Sequence, residues 1–248
     1  MRRAKGGIML NLKGKSALVT GGSKGIGLAI AHRLARAGAN VAICGRSEAP
    51  LASALDGLRR EFPSDALKLV ARTADVRSED AVRELFRAVD HEFGGLDILV
   101  NNAGVGIFKD LASLEPEEWK MVIDTNLTGA YLCSHEALPR LRARGGGWIV
   151  NIASLASKNS FAGGAAYNAS KFGLLGFSEA TMLDHRYEGV KVTTVLPGSV
   201  STGFGMSGEA DWKIAPEDVA EVVASILAMP DRTLVSHVEL RPSRPKKK

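Results

Sequence analysis

Residues 16–27 read Ser16-Ala17-Leu18-Val19-Thr20-Gly21-Gly22-Ser23-Lys24-Gly25-Ile26-Gly27, an apolar run of strand length that breaks into glycines and leads into a helical pattern. Glycines at such a turn let the chain bend tightly and let backbone N–H groups approach a phosphate at the helix N-terminus. The spacing is G-x-x-x-G-x-G, not the G-x-G-x-x-G of the common dinucleotide fingerprint. Two other motifs overlap it. Gly14-Lys15-Ser16 looks like the end of a P-loop, but the leading glycine position holds Met9 and the tripeptide precedes the strand, which rules it out. Gly21-Gly22-Ser23-Lys24-Gly25 matches a G-x-S-x-G nucleophile elbow. A hydrolase also needs an acid and then a histidine downstream; His185 and His237 are available but carry no recognisable partner.

Outward from this loop, short β-rich runs alternate with longer helical patterns, which predicts an α/β fold with a parallel sheet covered by helices. The expected strands are Ser16–Thr20, Asn40–Cys44, Leu67–Ala71, Leu96–Asn101, Gly147–Ile152, Val190–Leu196 and Leu234–Val238. Helices are expected near 25–37, 48–61, 78–92, 115–143, 165–188 and 216–228. Ala81, Val82, Leu85, Phe86, Val89 and Phe93 form the 3.6-residue stripe of a helix laid on a sheet. Pro116 and Pro216 each open a run followed by acids, as at a first helical position. With no internal repeat and no linker-like composition, residues 1–248 read as one domain.

The 248 residues are 45% hydrophobic, enough for a substantial core. No apolar run approaches the ~18 residues of a membrane span, and the basic N-terminus lacks the apolar region of a signal peptide. Met9 offers an alternative start. Cys44 and Cys133 sit in apolar runs and the five histidines are scattered, so a reduced, cytoplasmic protein without a metal site is expected. The net charge of +5 comes from the tails: Arg2, Arg3 and Lys5 in residues 1–8, and Arg241, Arg244, Lys246, Lys247 and Lys248 in residues 241–248. Removing those eight charges from +5 leaves −3 for the body. A nucleic-acid-binding domain carries its positive charge on a folded face, so no nucleic-acid partner is expected.

Further on, Ser154 precedes Tyr167 by thirteen residues, and Lys171 follows in Tyr167-Asn168-Ala169-Ser170-Lys171. Four residues is about one helical turn, so phenol and ammonium share a helix face. Taken with the glycine loop, Asn101-Asn102-Ala103-Gly104, Asn126 and Pro197-Gly198, this pattern resembles the short-chain dehydrogenase/reductase family from Thr20 to about Thr202. The resemblance implies a Rossmann-type, three-layer, doubly wound sheet of about seven parallel strands and a nicotinamide cofactor. It implies that Gly21, Gly25 and Gly27, with Ser23, Lys24 and Ile26 between them, shape the pyrophosphate turn. Asp75, beside Val76, would bind the adenine amino group. Asn101, Asn102, Ala103 and Gly104 would wall the ribose, and Val200 and Thr202, after Pro197 and Gly198, would hold the carboxamide.

The cofactor's identity is a question of charge. An acid ending the second strand would repel a 2′-phosphate, but the chain runs Cys44-Gly45-Arg46. Arg46, assisted by Lys24 or Ser23, is expected to pair with that phosphate, so NADP(H) is favoured over NAD(H).

Tyr167 is the expected general acid in reduction and base in oxidation. A tyrosine titrates near ~10, so working at pH 7 asks for about 4 kcal/mol. An ammonium at about 4 Å supplies about that at an effective dielectric of about 20. In the family the lysine also binds the nicotinamide ribose, Ser154 would orient the substrate oxygen, and Asn126 would hold a proton-relaying water.

The substrate is expected to be a small carbonyl compound or the matching alcohol. Val105, Gly106, Ile107, Leu155 and Phe161 would line the pocket under a short lid, Gly203 to Lys213, made apolar by Phe204, Met206 and Trp212 and mobile by Gly203, Gly205 and Gly208. A 3-oxoacyl thioester fits too, but reductases of acyl-carrier-protein substrates usually end in a Val-Asp-Gly-Gly-type segment, whereas this chain reads Val238-Glu239-Leu240-Arg241-Pro242. A homodimer or homotetramer is expected, with a non-catalytic dinucleotide sensor as the reading from another class.

Overall fold

Leu18 faces one core while its neighbours Ala17 and Val19 face another, and all five residues of their strand are buried. A strand with no exposed side belongs inside a sheet covered on both faces. A computed structural model describes residues 10–63, 67–204 and 210–245 of the chain. In order these form β1 (Ser16–Thr20), α1 (Gly25–Arg36), β2 (Asn40–Gly45), α2 (Glu48–Glu61), β3 (Leu69–Thr73), α3 (Glu79–Phe93) and β4 (Ile98–Asn101). There follow α4 (Pro116–Ile123), α5 (Gly129–Ala143), β5 (Gly147–Ile152), α6 (Ala165–His185), β6 (Val190–Pro197), α7 (Pro216–Leu227) and β7 (His237–Leu240).

The seven strands pair in parallel in the order β3-β2-β1-β4-β5-β6-β7, the Rossmann-type sheet. Ile30 and Leu34 of α1, Leu51 and Leu58 of α2, and Val219 and Val223 of α7 pack on one face with Ala17 and Val19. Phe86 of α3 and Cys133 and Leu141 of α5 pack on the other with Leu18. The chain winds one way from β1 and the other way from β4. The carboxyl ends of these two neighbours therefore part and leave a crevice, where doubly wound sheets bind ligands.

Local sequence explains most boundaries. Ser78 Oγ accepts the Ala81 N–H at 3.3 Å to open α3, and Gly94, at φ +72°, ends it. Pro116 and Pro216 start α4 and α7, with Glu118 and Asp218 each accepting the N–H of the preceding cap residue. Elsewhere tertiary pairing overrides local pattern. β3 runs two residues later than expected because Asn40 Oδ1 and the Val41 N–H take up Lys68 at its entry. β7 begins at His237, not Leu234, because it pairs with the end of β6, Thr194 to Pro197. The expected helix 115–143 is two helices joined by a π turn over Asp124–Thr128.

Asp97 anchors the sheet at the edge opposite the crevice. Its buried carboxylate accepts from Lys15 Nζ at 2.8 Å, the Ser16 N–H at 3.0 Å and Arg144 Nη2 at 3.2 Å. Burial pushes the carboxyl pKa up, but Lys15, the Ser16 N–H and Arg144 together hold it below the ordinary range. A depressed carboxyl stabilises the fold above its unfolded pKa of about 3.9, and that contribution fades as pH falls through the folded value. Asp97→Asn is expected to lower unfolding free energy at pH 7 by about 1.5–3 kcal/mol, as for hydrogen bonds to a charged group. In urea unfolding the gap to wild type should narrow below pH 4; a constant gap would contradict the assignment.

Candidate active site

The crevice is built first by glycine. Gly21 and Gly25 have φ of +63° and +57°, and a Cβ at Gly21 would lie 2.9 Å from Ala103 Cα. A Cβ at Gly27 would lie 2.4 Å from both Asn102 Nδ2 and Gly21 O. Larger residues would push the loop after β1 off the loop after β4. Thr20 joins the two loops: its hydroxyl donates to Val100 O and accepts the N–H groups of Asn102 and Ala103, both at 3.0 Å. α1 then starts at Gly25 with no side-chain cap and no acid in its first turn. Its first N–H groups and positive dipole end are left for an anion.

Gly21, Lys24, Gly25, Ile26, Arg46, Asn102 and Gly104 line one cleft with Ser154, Tyr167, Lys171, Pro197, Gly198, Val200 and Thr202. Its volume is about 1340 Å³. The expected phosphate and proton-handling residues are thus on one surface. Ser23, Gly27, Asp75, Val76, Ala103 and Asn126 are absent from the lining. Gly27 and Ala103 press behind it, and Val76 packs against Gly129.

One expectation needs correction, and two further residues hold contacts of their own. Asn101 does not wall the ribose: it is buried, and its Nδ2 donates to Asn151 Oδ1 at 2.8 Å and Ser134 Oγ at 3.0 Å, inside the sheet. Asp75 is ion-paired within its own loop. Arg77 donates to both its carboxylate oxygens, its shortest bond being 2.6 Å, and thereby lowers its pKa. Asn126 uses its side-chain amide within the protein. Its Oδ1 accepts the Val105 N–H at 2.8 Å, while its Nδ2 donates to Val105 O at 2.9 Å and Ser170 Oγ at 3.0 Å. Asn126, in the π turn, is a clamp between α6 and the loop after β4, consistent with the frequent siting of such turns near functional sites.

Tyr167 and Lys171 are 9% and 5% exposed. Burial raises the tyrosine pKa, with a hydrogen bond from the Ser154 side chain opposing it. Burial also pushes the lysine down to about 8. Lys171 Nζ donates to Ile152 O at 3.0 Å and lies 5.7 Å from the Tyr167 ring centroid. Taking both groups out of water dominates, since burial disfavours the charged form of each.

Asn168, which the sequence reading passed over, holds the loop carrying Ser154. Its Nδ2 donates to Ala156 O at 2.9 Å and its Oδ1 accepts the Phe161 N–H at 3.3 Å. Val105, Gly106, Phe161 and Phe204 line the cleft as expected, whereas Ile107, Leu155, Trp212 and Lys213 do not. Gly205, Met206 and Gly208 lie outside the described residues. Phe108 was also missed. Its ring meets Tyr167 edge-on at 5.4 Å, and only the fold reveals that it turns into the cleft.

This is a dinucleotide-type crevice with a tyrosine, a lysine and a serine at one end. A family of short chain dehydrogenases matches residues 15–212, and the chain belongs to it. Over 243 residues the chain is 35% identical to a glycine betaine reductase of Emericella nidulans, spanning 93% of this chain and 19% of that protein. A variant of the actinorhodin polyketide ketoreductase solved with NADPH is 34% identical at a TM-score of 0.84, over 92% of this chain and 96% of that one. A metagenomic short-chain oxidoreductase solved with NADP is 36% identical at 0.81, over 94% and 99%. Among the described residues no helix is long and apolar enough to cross a membrane, and no cluster could hold a metal ion.

A lysine depressed by burial gives the fold a stability that rises with pH. Between about 8 and the unfolded value near 10.4 the unfolded chain binds the extra proton. Cofactor-free wild type should gain stability relative to Lys171→Met across that window; parallel curves would show that Lys171 is not desolvated.

Proposed function

We propose that the protein is an NADP(H)-dependent oxidoreductase that interconverts a carbonyl compound and a secondary alcohol. The observation that carries this reading is the Tyr167 phenol, bonded to Ser154 and backed by buried Lys171, in the same cleft as the uncapped start of α1. The residues present fit the cofactor. The glycine turn leaves room a Cβ would fill, and the α1 N-terminus suits a pyrophosphate. Asn102, Gly104, Val200 and Thr202 line the same cleft and would hold the rest of the cofactor.

Arg46 lines the cleft, and its charge lies close enough to Asp75 to help lower that carboxyl's pKa. Gly45 has room for a Cβ, with its nearest contacts at 3.7 Å, so sterics do not demand glycine there. What that position lacks is an acid that would repel a 2′-phosphate. The NADPH and NADP complexes of the two structural relatives support the same choice.

When bound, NADPH supplies a hydride to the carbonyl carbon. Ser154 would hydrogen-bond the carbonyl oxygen, and Tyr167 would deliver the proton that completes the alcohol. Lys171 would hold positive charge beside the phenolate left behind, which is where stabilisation counts most. Asn126 and Asn168 keep these groups in place. A non-catalytic dinucleotide sensor would have no use for a buried phenol aimed into the cleft.

Tyr167→Phe should bind NADPH as wild type does, by fluorescence titration, and lose at least about 10²–10⁴ of the turnover, the usual yield of a positioned acid. Retained turnover would remove Tyr167 from the role. Arg46→Ala should cut the NADPH-over-NADH preference in kcat/KM by about ten- to hundredfold, from the worth of one charge-assisted bond. An unchanged ratio would move the 2′-phosphate site elsewhere. Exposed Tyr131 on α5 and Phe172 on α6 fit a homo-oligomer, which a scattering mass of one chain, 26.3 kDa, would refute.

A further inference from the structure

We infer that the carbonyl compound taken by this cleft is an uncharged ketone whose carbonyl is attached to a flat aromatic ring, an inference that rests on the proposed reductase site. Three phenylalanines from three separate loops converge on Tyr167. Phe108 stands edge-on to it at 5.4 Å, Phe204 lies 6.0 Å away and Phe161 6.5 Å away, while Phe108 and Phe161 are 5.7 Å apart. Phe161 and Phe204 are nearly half exposed, and both line the cleft. Apolar rings left uncovered beside a reactive phenol are unfinished packing that a ligand completes.

Gly106 is fitted to this arrangement. A Cβ there would lie 2.7 Å from Phe108 Cζ and 3.1 Å from Phe204 Cε1, so any larger residue would push the rings out of place.

Charge points the same way. The cations that line the cleft away from Tyr167, including Lys24 and Arg46, belong to the glycine-loop end. Lys171 is turned to Ile152 O, and Lys109, which follows Phe108, is paired with Glu118 at 2.5 Å. Among the described residues no cation at the aromatic end is offered to a carboxylate or phosphate on the substrate. A neutral ring gains from rings instead: aromatic pairs add about two- to tenfold in affinity beyond buried area. With the carbonyl oxygen at Ser154 and Tyr167, an attached aryl group reaches the phenylalanines directly, whereas a flexible alkyl chain of equal carbon count must lose rotational freedom to do so.

The test compares acetophenone with 2-octanone, each an eight-carbon ketone, on the full chain saturated with NADPH. Calorimetry reads binding and NADPH oxidation reads turnover. Acetophenone should bind at least five- to tenfold tighter. Phe161→Leu, apolar but not aromatic, should weaken acetophenone about three- to tenfold more than it weakens 2-octanone, and Phe161→Trp should restore the difference. Equal or tighter binding of 2-octanone by wild type, or equal losses for both ketones in Phe161→Leu, would overturn the inference. Tight, ring-dependent binding of acetophenone without turnover would uphold it and defeat the reductase reading instead.

Discussion

The ends of β1 and β4 are held together by one hydroxyl working at full capacity. Thr20 Oγ1 donates to Val100 O at 3.3 Å and accepts the N–H groups of Asn102 and Ala103. Asn102 closes the joint by donating through Nδ2 to Thr20 O at 2.9 Å and Gly21 O at 3.1 Å. A hydroxyl has one proton and two lone pairs, and all three are used. Because both loops are fastened at the point where the sheet changes winding direction, the phosphate end and the reactive end of the cleft form one surface. The glycines follow from this joint rather than the reverse: Gly21 and Gly27 are pressed so closely on it that neither has space for a Cβ.

The reactive end depends on α6 presenting four buried polar residues, Tyr167, Asn168, Ser170 and Lys171, within little more than one turn. Each is tied to a different part of the protein. Asn168 holds the loop after β5, Ser170 meets Asn126 of the π turn, and Lys171 reaches the end of β5. This network satisfies groups that would otherwise weigh against folding. Out of water an ammonium attracts a neighbouring phenolate more strongly than at an exposed surface, although burial by itself disfavours both charges. The consequence is visible on both groups: burial pushes the lysine down to about 8 and the tyrosine up.

Much of this was legible in the chain because it is local. A glycine turn between strand and helix, proline at a helix start, and phenol and ammonium one turn apart are decided by neighbours in sequence, and the fold confirms each placement. The misreadings share another cause. Asn101 looked like part of the cofactor wall, but strand alternation turns it into the sheet, where Asn151 and Ser134 take its amide. Phe108 and Asn168 carry no local signal at all; their roles depend on loops that only tertiary packing brings to Tyr167. The division of 115–143 by a π turn is likewise a tertiary outcome, locked by Asn126 across to Val105 and Ser170.

The central claim is that this cleft moves a hydride from a nicotinamide to a carbonyl carbon while Tyr167 supplies the proton. Isotope transfer tests it most directly. The full chain is incubated with NADPH deuterated at the transferable position and with acetophenone, and the alcohol is analysed by mass spectrometry. The account predicts one deuterium on the carbinol carbon with wild type and no labelled alcohol with Tyr167→Phe. Unlabelled alcohol, or label transferred equally well by the phenylalanine variant, would contradict it.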